Sequence, residues 1–284
     1  MPIDRLINIL ITITLFEMMV AIGLSVKLGE ILGVARNLRL VTRAALANYI
    51  LVPAAVLGLL FLFRPDPLVA AGFLIVAVCP GAPYGPPFTA IAKGNVSAAV
   101  GLMVILAGSS AVLAPALLYL FLHIMGGGRT LSVDAGSILI TLLATQLLPL
   151  CVGLFIRQLR PNLAEKLQKP FTQISKVLNV LVLGFILIVQ FHVLSAVRPR
   201  GYAGMIALLI LSLASGWLLG ESGSANRKAM ALVTSVRNVS VSLVIATGSF
   251  PGTPAVTAVL VYGIFQTLAS AVIALGWGKL SRYR

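Results

Sequence analysis

Charge is scarce in this 284-residue chain: only 10% of its residues are charged, against about 25% in a typical soluble domain. Only seven are acidic. No polar stretch between its apolar runs is long enough to fold as a second, soluble domain. The two cysteines, Cys79 and Cys151, both lie inside apolar runs, which excludes a disulfide framework and a thiolate metal site. The two histidines, His123 and His192, are too few and too far apart to suggest a metal centre. Enzyme signatures are missing as well. No two acidic residues stand close together within a span, as magnesium-dependent prenyl transfer would need. There is no His and Glu at the helical spacing of an intramembrane metalloprotease and no Gly-x-Ser-x-Gly. No enzymatic activity, cofactor or metal is expected.

What is there is apolar. Hydrophobic residues make up 59% of the chain, and the mean hydropathy is +1.06. Runs of about 20 apolar residues, each long enough to cross a bilayer, recur from end to end. They predict an all-α polytopic membrane protein, a single transmembrane transport domain over 1–284. Nine spans are expected, at about 6–26, 41–63, 67–92, 95–122, 134–157, 171–195, 201–220, 226–249 and 254–277. Clusters of Gly, Pro, Asn and charge separate them, such as Arg64-Pro65-Asp66-Pro67, Gly126-Gly127-Gly128, Arg160-Pro161-Asn162 and Arg198-Pro199-Arg200-Gly201. The first run is expected to be a retained helix, since Asp4 offsets Arg5, Glu17 interrupts it and no small-residue cleavage pattern follows.

The formal charge of +14 comes from 21 basic residues against seven acidic ones. All the basic residues but Lys176 and Arg237, which fall within spans, sit in short loops or at span ends without interleaved aromatics, so membrane topology explains them better than nucleic acid. Fourteen fall on one set of alternate loops, among them Lys27, Arg36, Arg39, Lys93, Arg160, Arg227 and Lys228. Five fall on the other: Arg5, Arg64, Arg129, Arg198 and Arg200. The positive-inside bias places the C-terminus in the cytoplasm and, with nine spans, the N-terminus outside, in the inner (plasma) membrane.

Two spans are irregular. The third contains Cys79-Pro80-Gly81-Ala82-Pro83-Tyr84-Gly85-Pro86-Pro87, and a continuous helix cannot pass through it. Unwound backbone at membrane depth is tolerated only inside protein or beside a cavity. The eighth contains Val233-Thr234-Ser235-Val236-Arg237-Asn238-Val239-Ser240, a polar cluster with a full charge. Such groups normally face a binding site or an aqueous path. The two spans lie five apart and so cross in opposite directions, the pattern of inverted halves around a transporter's midplane site.

The candidate ligand- and ion-binding residues are Arg237, Asn238, Thr234, Ser235 and Glu17, with the half-helix ends at Pro83, Tyr84, Gly85 and Pro86. Arg237 offers five donors in a planar fork, suited to carboxylates, sulfonates and phosphates. It either serves an anion, stands in for a cation, or pairs with Glu17, the one acidic residue deep in a span. Glu17 is itself a candidate proton or cation site. Asn179, Gln190 and His192 are expected to hydrogen-bond between helices.

From Leu24 onward the chain resembles the bile acid:sodium symporter family. The anchors are Gly23-Leu24-Ser25, Asn48-Tyr49-Ile50-Leu51-Val52-Pro53, Cys79-Pro80-Gly81, Ala92-Lys93-Gly94-Asn95 and Arg237-Asn238. The resemblance implies inverted five-helix repeats with the first helix absent, and two broken helices crossing at the substrate and sodium sites. Sodium-coupled members read roughly Pro-Gly-Gly-Thr-Ala-Ser-Asn at the first break, where this chain has Gly85 and Pro86. Two further hydroxyl ligands fall on Ala99 and Met103. Their second motif, Glu-x-Gly-x-Gln-Asn, here has Val233 for the Glu and Arg237 for the Gln. Asn48, in place of a Gln, and Asn238 stay polar. The resemblance adds Asn48 and Gln266 to the candidate binding residues.

The expected function is alternating-access transport of an organic anion, bile-acid-like or a small carboxylate, without the usual two-sodium site. One alternative is a sodium symporter with a displaced site at Asn48, Asn238 and backbone carbonyls. Another is a non-transporting sensor on the same scaffold. The expected partners are the anion and the lipid bilayer, with no nucleic acid.

The topology has a direct check. A reporter active only in the cytoplasm is expected to work when fused after Arg284 and to be silent when fused after Pro2. The same side for both termini overturns the nine-span count.

Overall fold

The structure is a computed structural model that describes residues 3–126, 131, 133–189 and 199–280. Gly127, Gly128, Arg129, Gln190, His192, Arg198, Arg282, Arg284 and the end of the sixth expected span lie outside the described residues. The regular secondary structure of the described residues is all helical, without strands. Seven helices are long and apolar enough to cross a membrane, and side chains such as Ile188 and Leu218 are more than three-quarters exposed on the outside of the bundle. Water would not tolerate that surface; lipid does.

In chain order the helices are α1 (Ile3–Ser25), α2 (Leu28–Arg36), α3 (Leu38–Phe63), α4 (Pro67–Val78), α5 (Gly85–Ile91) and α6 (Val96–Ile124). They continue as α7 (Ala135–Leu159), α8 (Pro161–Val189), α9 (Pro199–Leu219), α10 (Ser224–Ser235), α11 (Val239–Ser249) and α12 (Pro254–Leu280). The expected third span is thus α4 plus α5, and the eighth is α10 plus α11. Two helices differ from expectation. α8 starts at Pro161, ten residues before the expected 171, because Pro161 sits at a helix start where its missing N–H is harmless. α2 is a short helix where a loop was expected, lying against α6 with Val34 seated over Gly101.

Two π turns, Ala47–Leu51 in α3 and Leu143–Leu147 in α7, each end two residues before a proline, Pro53 and Pro149. A proline inside a helix removes one hydrogen bond and clashes with the preceding turn; widening that turn relieves the clash. Each π turn also presents a fully buried amide, Asn48 in α3 and Gln146 in α7. Gln146 donates to Ala107 O and to Ser110 Oγ (3.0 Å) of α6.

The helices pack in two groups. α1 lies along α7 and α8. α3, α4, α5, α6, α9, α10, α11 and α12 form the other group, in which α4 runs against α12 and α9 against α10. α1 meets the second group mainly at α11, where Ile7, Ile11 and Leu15 share one apolar cluster with Val244 and Ile245. Within the first group α1 and α7 cross at two glycines. A Cβ added to Gly153 would stand 2.8 Å from Gly23 Cα, and one added to Gly23 would stand 2.5 Å from Leu150 O. This is small-residue packing that lets backbones touch in lipid.

The loops sort into two ends. At one, Asn37 Nδ2 donates to Glu221 Oε1 (2.8 Å), and Asn95 Nδ2 donates to Asn226 Oδ1 (2.9 Å). At the other, Arg64, Asp66, Arg200 and Pro254 surround one cavity.

Gly153→Val should force α1 and α7 apart. It is expected to destabilise the protein by about 1–3 kcal/mol, the range for overpacking a tight contact, read as a lower melting temperature in detergent. Gly58→Ala, where an added Cβ meets nothing within 4 Å, should leave it unchanged.

Candidate functional site

The site begins with two interruptions. α4 stops at Val78 because Pro80 biases Cys79 out of the helical region, and Cys79 has φ −110° and ψ 72°. Gly81 then takes φ +82°, and its Cα lies so close to Ala107 of α6 that no side chain fits. The chain re-enters a helix at Gly85 with Pro86 and Pro87 in its first turn, where their missing N–H groups are harmless. The second interruption has no proline. α10 ends at Ser235, Val236 is extended (φ −92°, ψ 111°), and Asn238 caps α11 by accepting from Val241 N at 3.3 Å.

The two interruptions touch. Asn238 N donates to Cys79 O at 2.8 Å, and Asn238 Nδ2 reaches Gly81 O at 3.4 Å. Beside them lies Arg237, 1% exposed. Its Nε donates to Val76 O (3.2 Å). Its Nη1 donates to Asn48 Oδ1 (2.7 Å) and Thr234 O (3.3 Å). Its Nη2 donates to Ala77 O and to Asn48 O (3.4 Å). Five N–H groups meet five acceptors, all of them neutral oxygens. Gln266 of α12 grips the same residue by its backbone, accepting from Arg237 N (3.0 Å) and donating to Arg237 O (2.8 Å). Asn48 also donates to Thr234 Oγ1 at 3.2 Å.

The electrostatics follow from where these oxygens sit. Val76 and Ala77 are in the last turn of α4, and Thr234 is in the last turn of α10. Each helix end leaves carbonyls without intrahelical partners and carries about half a negative charge. Two such ends together amount to about −1, which one guanidinium balances. Arg237 is therefore the C-terminal cap of two half-helices at once, and Asn48, turned inward by its π turn, closes the ring.

Five expected site residues thus meet: Arg237, Asn238, Thr234, Asn48 and Gln266. Ser235 is buried and bonds within its own helix, to Leu232 O at 3.2 Å. Pro83, Tyr84, Gly85 and Pro86 form the link into α5; Tyr84 is exposed and stacks on Phe88, and Gly85 packs on Val233. Glu17 is not a partner of Arg237. Its Oε2 accepts from Ser175 Oγ of α8, and its Oε1 is buried without a partner.

Sequence reasoning missed the Val76, Ala77 and Cys79 carbonyls, which carry no residue signature. It also missed Ser175. Lys228 was counted as a loop charge, yet it is buried and its Nζ donates to Ala92 O (2.9 Å) and Trp277 O (3.4 Å). A cavity of about 350 Å³ opens between α1, α7 and α11, lined by Asn8, Asp134, Ser137, Thr141 and Ser249. A wider one of about 490 Å³ lies at the opposite end, beside Glu30, Asn37, Asn95 and Glu221. Neither is lined by Arg237.

Residues 12–198 match the family model described as the Sodium Bile acid symporter family. An uncharacterized sodium-dependent transporter of Bacillus subtilis, YocS, is 25% identical over 95% of this chain and 83% of its own length. A probable chloroplast sodium/metabolite cotransporter of Arabidopsis thaliana, BASS1, is 25% identical over 92% of this chain and 65% of its own length.

Gln266→Leu keeps the volume but strands the backbone N–H and C=O of Arg237. Each buried group left unsatisfied costs about 1–3 kcal/mol, so the variant is expected to melt well below the parent. Thr267→Val, whose hydroxyl bonds only to Gly263 O of its own helix, is the control and should change little.

Proposed function

Because this chain belongs to the sodium bile acid symporter family, a family of membrane transporters, we propose that it is a secondary transporter of an organic anion in which Arg237 replaces a bound cation. The observation that carries this reading is the buried guanidinium whose five N–H groups lie on neutral oxygens at the ends of two broken helices. A sodium ion needs several hard oxygen ligands in such a place. Here those oxygens are engaged by a group that never deprotonates and cannot leave. Val233, at the position of the acidic ligand in sodium-coupled members, is buried and apolar.

In this reading the chain is one transport domain of nine crossings in two inverted repeats. α1, α7 and α8 form the panel, and the other group forms the core. The cavity between α1, α7 and α11 is one access route, and the anion is an amphipathic or small carboxylate or sulfonate. It is drawn by the field of Arg237 and held near Asn238, Thr234 and the helix start at Pro83, Tyr84, Gly85 and Pro86, where N-terminal dipoles favour negative charge. The C-terminus is cytoplasmic.

Sodium coupling is the second reading, and the names of the relatives favour it. It needs a displaced site at Asn48, Asn238 and backbone carbonyls, while Asn48 Oδ1 already accepts from Arg237 at 2.7 Å.

Ligand-induced thermal stabilisation by taurocholate and pyruvate is expected to be the same in sodium and in choline; a large sodium-specific shift overturns the replacement reading. Arg237→Lys keeps the charge without the fork and should retain part of the binding. Arg237→Gln should lose it and melt lower as well, since each buried carbonyl left unpaired costs about 1–3 kcal/mol. Folded Arg237→Gln that binds at parental affinity removes Arg237 from the mechanism.

A further inference from the structure

A resident cation does not cycle, so it cannot couple transport to an ion gradient. If the carrier is driven, some other group must change its charge between the two sides. Of the seven acidic residues, six stand in loops, at helix ends or in the short α2. Asp66 and Asp134 cap α4 and α7, and Glu165 lies 3.5 Å from Arg157. Glu17 alone sits deep in a long apolar helix, in the middle of α1.

Its surroundings are polar, and uncharged at close range. Ser175 Oγ donates to Glu17 Oε2, while Oε1 is buried with no partner. One turn along α8, Asn179 Nδ2 donates to Ser175 O at 2.9 Å and approaches Met18 Sδ. The Oδ1 of Asn179 lies 3.5 Å from Ser240 Oγ, in the first turn of α11 and two residues beyond Asn238. A carboxyl group on α1 is thereby linked, through two side chains of α8, to the start of the half-helix that follows Arg237.

Charged and titratable groups on the neighbouring elements stand apart. α11 has none. α7 offers Cys151, exposed, and Arg157, which faces Glu165. α8 offers Glu165, Lys166, Lys169 and Lys176, all exposed. On α1 itself only Asp4 and Arg5 are charged, three turns away. Among the described residues, no cation forms an ion pair with Glu17. Charged carboxylates are costly at that depth, and one hydroxyl donor is poor compensation.

We propose that Glu17 carries a coupling proton, so that this chain moves its anion together with H⁺. The proposal rests on the transport reading above and names its coupling ion. A hydronium ion on one side gives its proton to the Glu17 carboxylate, forming an O–H bond at Oε1 and leaving water. The neutral carboxyl crosses with the anion, and the same O–H bond breaks to return the proton to water on the other side. Between these steps the link through Ser175 and Asn179 to Ser240 reports the protonation state of α1 to α11. The link is long at its last member and so is easily made and broken.

The test uses the full chain reconstituted in liposomes. Infrared difference spectra taken across a pH titration are expected to show a protonated-carboxyl band that Glu17→Gln lacks. No difference between the two proteins at any pH overturns the proposal. Transport is then followed with taurocholate and pyruvate as probes. An inward gradient of one pH unit should raise accumulation by up to about tenfold, the equilibrium limit for one proton per anion. Glu17→Gln should keep counterflow exchange, which needs no net proton movement, and lose the response to the gradient. Counterflow by the parent without a pH response, or a full response in Glu17→Gln, overturns proton coupling. Absence of counterflow for both probes in the parent counts against the transport reading, while the infrared band still decides whether Glu17 takes a proton. If Glu17→Gln fails to fold, Glu17→Asp replaces it and should move the band's titration while keeping the coupling.

Discussion

A peptide carbonyl without a partner is intolerable in hydrocarbon, and this fold places several of them at the mid-length of two spans. Everything around Arg237 answers that constraint. The prolines end α4, the ends of α4 and α10 expose Val76, Ala77 and Thr234 oxygens, and the guanidinium covers them. Asn238 then engages the Cys79 and Gly81 carbonyls, and Gln266 the backbone of Arg237. Removing any one member exposes a polar group that no water can reach, so the cluster stands or falls together.

The directional bonds are concentrated there, inside the larger helix group. The seam between that group and α1, α7 and α8 is built mostly from apolar side chains, with Ile11 and Leu15 on one side and Val244 and Ile245 on the other. Side-chain bonds across it include Gln146 to Ala107 and Ser110, and the long approach of Ser240 to Asn179. Apolar contact is non-directional and tolerates sliding, whereas a saturated hydrogen-bond cluster does not. The first helix group is closely packed at the Gly23 and Gly153 crossing, and it meets the second through α1 on α11 and α7 on α6.

The sequence made some of this plain. Four prolines in eight residues announce the break after α4, and an arginine beside an asparagine in an apolar run announces the crossing. Asn48 and Gln266 stood out through the family resemblance. The rest depends on groups without a side-chain signature. That Arg237 meets carbonyls rather than Glu17 follows from the rotational phase of α1 about its axis, which turns Glu17 to Ser175. The phase is set by long-range packing such as the Gly23 contact. α2 and the first turns of α8 escaped notice because they are short and carry charge, so apolar length gives no signal for them. Lys228 read as a loop charge because only the folded state brings Ala92 and Trp277 to it.

A guanidinium fixed at the crossing of two half-helices also has an electrical consequence. A site that releases its ion becomes electrically lighter when empty; one built on Arg237 keeps its charge in every state. In the proposed reading the core shifts along the membrane normal, and that charge then moves through part of the transmembrane field. A full elementary charge crossing 100 mV exchanges about 2.3 kcal/mol with the potential. In the proposed transport reading, the membrane voltage therefore acts directly on the body that carries Arg237, biasing which way its loaded and empty forms rest.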